Sequence, residues 1–412
     1  MRLIGNKTKL LPEIEGFLRR RGVEGGTFLD VFAGTASVGR HFRRLGWRVR
    51  TNDLLASSYA LQRAYVARDG CPELGRLRAA RGVRVFLASP AGRAALEATP
   101  ASPGAEPLRE VVAFLNHALE PERGLVWRQY SGGGPGGRLF FSEENGARID
   151  AVHGALCRWR REGLIDEDEQ LLLVALLLEA ADRVANISGT YGAFLKQLQA
   201  SAREPLRLRV PAAEAFQGPP GRAYREDANR LVRRLRVDVL YLDPPYNQRQ
   251  YAKNYHVLEV LAELHQVRDL AAYEGSIYGV SGLVPVEDRL SDYCRRVGRR
   301  RSDPSPCREA FFDLVRAARA EHIVVSYSEE GILSREEIGE ALAAACGWSR
   351  YDFDRHQEEI AYKRFRSDQD AAGRREYRVL EGRSKDEVRE WLFYARKPAA
   401  RVAARSSRAL AV

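Results

Sequence analysis

Val237-Asp-Val-Leu-Tyr-Leu242 is an apolar run closed at once by Asp243-Pro244-Pro245-Tyr246. The run alternates and carries β-branched and aromatic residues, so it reads as a buried strand, and the two prolines end it. Asp243 is therefore expected at the carboxyl end of a strand, the edge of an open α/β sheet where ligands bind. A carboxylate and the carbonyl of Pro244, held side by side by the stiff Pro244-Pro245 backbone, can accept both N–H bonds of a planar exocyclic amine. Tyr246 offers a flat face for a base to stack on. Holding both protons localises the nitrogen lone pair for attack on an activated methyl group. The same four residues would also serve as an ordinary turn after a strand, so the reading depends on a second site.

That site lies upstream. Thr27 to Phe32 reads as a strand, Ser37 to Leu45 as a helix and Arg48 to Thr51 as a second strand ending at Asn52-Asp53, the βαβ opening of a doubly wound sheet. The intervening loop is Asp30-Val-Phe32-Ala-Gly34-Thr-Ala36-Ser-Val-Gly39. Set against GxGxxG, the second glycine is replaced by Ala36, where a pyrophosphate needs the closest backbone approach. This argues against NAD or FAD and for a phosphate-free nucleoside such as S-adenosylmethionine. Asp53, about twenty residues past the first glycine, is placed to bind ribose hydroxyls, and Asp30 to meet the methionine ammonium. The stretch Ser131-Gly-Gly-Gly-Pro-Gly-Gly-Arg138 lacks the GK[ST] ending of a phosphate loop and is read as a flexible connection.

Between the two sites lies a long stretch of different character, with Pro/Gly-rich joints at 89–107 and 131–137 and a strongly apolar segment, Leu171 to Ala181, read as a buried helix. After Tyr246 come a helix from Asn254 to about Leu264, a basic loop from Arg295 to Pro306, a strand His322 to Tyr327, a helix opened by Ser334 with Glu337 at the capping-box position, and a last strand Trp391 to Arg396. The expected fold class is α/β with a mainly helical insertion. The expected division is 1–59 and 221–396 for the sheet domain, 60–220 for the insertion and 397–412 for a disordered basic tail. At 412 residues and 45% hydrophobic content the chain can bury a large core. Lys plus Arg number 66 against 55 for Asp plus Glu, a net +11 that suits a polyanionic partner. Five cysteines (Cys71, Cys157, Cys294, Cys307, Cys346) without CxxC spacing suggest neither a zinc cluster nor a disulfide framework. No metal and no membrane span are expected, since the longest apolar run is too short to cross a bilayer. A reducing cytoplasm fits.

With both sites in view, the chain resembles the D12 class of adenine-specific DNA methyltransferases. Ile4-Gly-Asn-Lys7-Thr-Lys-Leu-Leu is similar to that family's opening motif, followed by Asp30-Val-Phe-Ala-Gly-Thr and then by Asp243-Pro-Pro-Tyr-Asn-Gln-Arg-Gln-Tyr, the order of its α arrangement. Further likeness lies in Phe141-Ser-Glu-Glu-Asn-Gly, Gly189-Thr-Tyr-Gly-Ala-Phe-Leu-Lys196, Asn254-Tyr-His-Val-Leu-Glu and Ser326-Tyr-Ser-Glu-Glu-Gly. The resemblance implies a Rossmann-like S-adenosylmethionine-dependent sheet with a target-recognition insertion. It implies cofactor binding by Lys7, Asp30, Phe32, Gly34, Asp53, Asp227 and Asp243, with Lys7 at the cofactor carboxylate and Asp227 near its adenine. It implies catalysis by Asp243, Pro244, Pro245 and Tyr246 on an adenine flipped out of double-stranded DNA. Arg299, Arg300, Arg301 and Lys196 are the expected DNA contacts, and a cognate restriction endonuclease is an expected partner. Leu3 departs from the aromatic the family often carries there. RNA adenine N6 methylation and DNA cytosine N4 methylation share the amine chemistry, and a catalytically silent DNA-binding subunit is the non-enzyme alternative. Cytosine C5 methylation needs a nucleophilic cysteine, for which Cys307 lacks the surrounding motif.

Overall fold

The run from Val237 lies at the centre of a sheet that has seven strands among the described residues. The structure, a computed structural model, describes residue 5 and residues 7–297, 305–363 and 387–399. The strands are β1 (Thr27–Asp30), β2 (Arg48–Asn52), β3 (Arg222–Tyr224), β4 (Arg236–Leu242), β5 (Arg319–Ser328), β6 (Gln357–Lys363) and β7 (Glu387–Arg396). Their spatial order is β3-β2-β1-β4-β5-β7-β6. β1 to β5 are parallel, and β7 pairs antiparallel with both β5 and β6. The direction of winding reverses between β1 and β4. That switch point is where strand ends part and leave a crevice.

The contacts divide the chain into two units. Among the described residues, a sheet unit comprises those of Gly5–Leu54, Gly221–Tyr251 and the chain from Arg289 onward; a helical unit comprises Leu55–Pro220 and Ala252–Asp288. In the sheet unit, alternate residues of the central strands feed two apolar layers. Leu29, Val31, Leu240, Leu242, Ile323 and Val325 pack with Leu314, Leu342 and Phe393 on one side. On the other, Phe28 stacks on Phe42 at 4.2 Å and meets Trp47 edge-on. The foot of the sheet is fixed by Asp238 of β4, whose carboxylate accepts the amide and hydroxyl of Thr27 at 2.7 and 2.8 Å. Gly26 makes this approach possible: its φ is +118°, and a Cβ there would lie 2.6 Å from Asp238 Oδ2.

Strands β3 and β6 were not evident from the sequence. Among the described residues both are edge strands, and β6 reads Gln-Glu-Glu-Ile-Ala-Tyr-Lys, the charged pattern that keeps an edge from pairing with another chain rather than an apolar run. The helix from Ser334 forms with its capping box intact, Ser334 and Glu337 each bonding the other's backbone amide. Lys397, expected to begin the tail, is instead buried. Its Nζ donates to the carbonyls of Val315, Arg316 and Ala318 at 2.7, 3.1 and 2.8 Å, satisfying the C-terminal end of the helix Pro306–Ala317. The rest of the expected tail from residue 400 lies outside the described residues.

In the helical unit, Glu143–Arg161 and Glu167–Val184 carry the core, and the apolar segment 171–181 is buried as expected. Asp166 and Glu169 form a capping box that starts the second of these helices. Residues 252–288, expected with the sheet, group with the helices instead. The helix His256–Glu263 packs on Ala56–Gln62 and Glu167–Val184, and its Glu259 links it to the first of these: the buried carboxylate accepts the amides of Ala56 and Ser57, both at 2.9 Å, and the Ser57 hydroxyl at 2.6 Å. The glycine-rich stretch is a close-packed turn rather than a flexible connection. A Cβ at Gly134 would lie 2.1 Å from the Trp127 carbonyl, and Arg138 donates to Gln129 Oε1 at 2.7 Å and to the Gly279 carbonyl at 3.1 Å.

Candidate active site

At the switch point, Asp30 pairs in register with Tyr241, so Asp30 and Asp243 stand at the carboxyl ends of neighbouring strands. Asp30 is buried, and its Oδ1 has no hydrogen-bond partner. Burial, then the negative charges of Asp243 and Asp53, raise its carboxyl well above the usual range, against the amides of Gly39 and Phe32. The loop after β1 turns through Gly34 and Ala36, both with positive φ, +50° and +59°. Asp53 Oδ2 accepts the Gly34 amide at 2.8 Å, which ties the tip of β2 to this loop. The buried Asn52 side chain donates to the carbonyls of Val31 and Glu226 at 3.1 and 3.0 Å and accepts the Glu226 amide. It thereby links the ends of β1 and β2 to the chain after β3.

Asp243 is held from its other side. Lys7 Nζ lies 3.1 Å from Asp243 Oδ1 and 2.6 Å from Oε1 of Glu390 on β7. Glu390 Oε1 also accepts the hydroxyl of Ser326 on β5. Burial alone would lower the Lys7 pKa, but Asp243 and Glu390 together hold it well above the ordinary lysine value. Burial pushes the Asp243 carboxyl up to about 7, opposed by Lys7 and assisted by Glu390. Asp243 remains 15% exposed, so one face of a mostly buried carboxylate is open to a ligand. Pro244 is buried, Pro245 and Tyr246 half-buried. Gly5, with φ +82°, lies at the edge of the Tyr246 ring; a Cβ there would sit 3.2 Å from its Cε1. The site thus sets Lys7 between the carboxylates of Asp243 and Glu390, with Asp30 beside Asp243 and Asp53. A cluster of carboxyl groups that includes an orphaned buried oxygen suits a cationic ligand, which favours their ionised forms, and disfavours a pyrophosphate.

Residues 3–274 match the family described as D12 class N6 adenine-specific DNA methyltransferase. The chain belongs to that family. Among curated proteins it is 33% identical over 400 residues to the type II methyltransferase M.FokI of Planomicrobium okeanokoites, covering 96% of this chain and 53% of that one. It is 34% identical over 372 residues to the type II methyltransferase M.NlaIII of Neisseria lactamica, covering 89% and 93%. It is 28% identical over 344 residues to the modification methylase StsI of Streptococcus sanguinis, covering 83% and 46%. The chain therefore spans about half of the first and third relatives and nearly all of the second. No solved structure matches it. A mixed seven-stranded sheet flanked by helices agrees with the α/β fold of this methyltransferase family.

The structure brings Lys7, Asp30, Gly34, Asp53, Asp243 and Tyr246 together in the sheet unit. Phe32 packs edge-on against Tyr293 at 4.8 Å, half-buried at the rim of the core. Asp227 is exposed and caps its own helix, Ala228–Arg234, accepting the Arg230 amide at 2.9 Å. Lys196 is exposed in the helical unit, on a loop organised by Asn186, which donates to the carbonyls of Leu139 and Leu195 at 2.9 Å. Arg299, Arg300 and Arg301 lie outside the described residues, as does Leu3. Cys307 is buried, which pushes its thiol up to about 12 and makes it a poor nucleophile. Among the described residues no His, Cys, Asp and Glu cluster could hold a metal ion, and no helix is long and apolar enough to cross a membrane.

Glu390 went unnoticed in the sequence, and Ser326, Asn52 and Gly5, though within the stretches quoted above, carried no assigned role there. Glu390 had a usable signal: on β7 it shares a face with Val388 and Leu392, so strand alternation puts a carboxylate where an apolar residue belongs.

Proposed function

We propose that this chain is a site-specific DNA adenine N6-methyltransferase that takes its methyl group from S-adenosylmethionine, acting as the modification enzyme of a restriction-modification system. The observation that carries the reading is Asp243: a carboxylate at the carboxyl end of β4, mostly buried, braced by Lys7 and open on one face. Family membership and the names of the relatives, type II methyltransferases and a modification methylase, support the substrate and the setting.

When bound, S-adenosylmethionine supplies an electrophilic methyl group on a cationic sulfonium. Asp30, with a buried oxygen lacking a partner, would hold the methionine ammonium, and Asp53 the ribose hydroxyls. Phe32 and Gly34 would shape the loop for the nucleoside, and Asp227 would contact its adenine. The target adenine leaves the duplex, since its amine cannot reach the methyl group from within the stack. Tyr246 stacks on the extruded base while Asp243 and the Pro244 carbonyl accept the two N6 protons, with Pro245 keeping that carbonyl in place. Lys196 and the arginines 299–301 contact phosphates of double-stranded DNA. This reading sets the enzyme to work in the cytoplasm, beside a restriction endonuclease of the same specificity.

Incubating the protein with methyl-labelled cofactor and unmethylated duplex DNA, followed by digestion to nucleosides, tests this directly. Label is expected in N6-methyladenine; label in 4-methylcytosine, in RNA alone, or in no nucleoside overturns the reading. The Asp243→Ala variant is expected to lose about a hundredfold or more in rate, because a transition-state acceptor is gone. It should retain a cooperative melting transition.

A further inference from the structure

Glu390 is 0% exposed in the interior of β7, on the face it shares with Val388 and Leu392. A carboxylate there carries a desolvation cost that valine or leucine would not. Its two oxygens differ. Oε1 accepts Lys7 Nζ at 2.6 Å and the Ser326 hydroxyl, whereas Oε2 has no hydrogen-bond partner. Fold stability alone does not account for an acid in this position, since a half-satisfied buried polar group is worse than an apolar one. The separations rank the two partners of Lys7: 2.6 Å to Glu390 against 3.1 Å to Asp243. Lys7 is thus anchored on Glu390 and presented to Asp243. A lysine on a flexible four-carbon stem needs such an anchor to act as a fixed charge.

We propose that Glu390 is a positioning residue for methyl transfer: with Ser326 it clamps Lys7, and through Lys7 it fixes the Asp243 carboxylate in the orientation that grips the target amine. This rests on the reading that Asp243 receives that amine. The groups facing Asp243 are Lys7 from the N-terminal segment, Glu390 from β7, Asp30 from β1 and Tyr241 from β4. Removing the Glu390 charge leaves Lys7 less well placed and removes a negative neighbour from Asp243. The first change slows transfer. The second lets Asp243 ionise at lower pH.

The test is single-turnover methyl transfer by the full chain to unmethylated duplex DNA, measured from about pH 5.5 to 9 for the wild type, Glu390→Gln and Ser326→Ala. Glu390→Gln is expected to lower the plateau rate about tenfold or more, as misplacement of a reacting group does. It should also move the acid limb of the profile to lower pH by about half a unit or more, and Ser326→Ala should change the rate in the same direction by a smaller factor. Combined with Lys7→Met, Glu390→Gln should cost nothing further, because a residue acting through Lys7 has no effect once Lys7 is gone. Wild-type rate and limb in both variants overturn the proposal. So does a rate loss that tracks a lowered melting temperature with the limb unmoved, or full additivity with Lys7→Met. Should Glu390→Gln fail to fold, Ser326→Ala decides: a rate loss at unchanged melting temperature that vanishes on the Lys7→Met background supports the proposal, and a wild-type rate or full additivity with Lys7→Met overturns it. A wild type that places no label on adenine overturns the underlying function instead, and the two failures are told apart by that control.

Discussion

A carboxyl buried as deeply as Asp30 keeps its proton to a higher pH in the folded chain than in the unfolded one. Between the unfolded value near 4 and the raised folded value, the native state binds the extra proton, so stability falls as pH rises. The contribution is fully present below the unfolded pKa and is lost through the folded one. Asp30→Asn removes this dependence. Without cofactor, the variant should melt above the wild type at pH 8, with the difference shrinking toward pH 4. Equal melting temperatures at pH 8 would show that the charge at Asp30 is not strained. At this scale, Asp243, Asp30 and Asp53 stood out because each lies at a strand end in a stretch whose residue types match a chemical task, and Lys7 through its likeness to the family's opening motif. Glu390 carried only the signal of an acid on an apolar strand face, and its pairing was not legible, since its partner Lys7 is 383 positions away in the chain.

Among the elements, the short helix Ala56–Gln62 depends on a side chain from far along the chain. The Glu259 carboxylate satisfies the amides of Ala56 and Ser57 and lies at the positive end of that helix. Glu259→Ala leaves both donors buried without an acceptor, at about 1 to 3 kcal/mol each. Urea titration should therefore show a loss of roughly 2 kcal/mol or more, with Glu259→Gln recovering part of it through its remaining acceptor oxygen. A loss under about 0.5 kcal/mol would mean that water replaces the carboxylate. Strands with apolar alternation, such as β1 and β4, announced themselves, whereas β3 and β6 did not. An edge strand is formed by pairing to its one neighbour, and its own composition reflects solvent exposure.

Over the whole molecule, the net charge of +11 contrasts with the cluster of carboxyl groups, Asp30, Asp53, Asp243 and Glu390, in the sheet unit. The two features suit two ligands, a polyanion and a cationic nucleoside. S-adenosylmethionine or its demethylated product should raise the melting temperature, because a ligand that binds only the folded state stabilises it. NAD should not, and Asp53→Ala should weaken the shift. A larger shift with NAD would overturn the cofactor assignment. Changing Arg299, Arg300 and Arg301 together to alanine should weaken binding to every DNA sequence and flatten its salt dependence by about one unit of slope per lost phosphate contact. Sequence preference should survive, since phosphate contacts position a duplex without specifying it. Unchanged affinity and slope in filter-binding titrations would assign DNA binding to other residues.

What the sequence determined by itself is local: the β4 run and its Asp-Pro-Pro-Tyr stop, the βαβ opening with Ala36 in the turn, the apolar helix over 171–181 and the Ser334 capping box. Each follows from periodicity, turn chemistry or capping within about ten residues. Tertiary structure alone decided that residues 252–288 join the helical unit, where Glu259 links two helices, and that the glycine-rich stretch is packed tight under Trp127. It alone decided that Lys397 ends a helix, and that Lys7, Asp243, Ser326 and Glu390 meet in one buried cluster. These outcomes pair groups far apart along the chain, and such pairings arise from satisfying buried charges and carbonyls in the folded state, a requirement with no local sequence pattern.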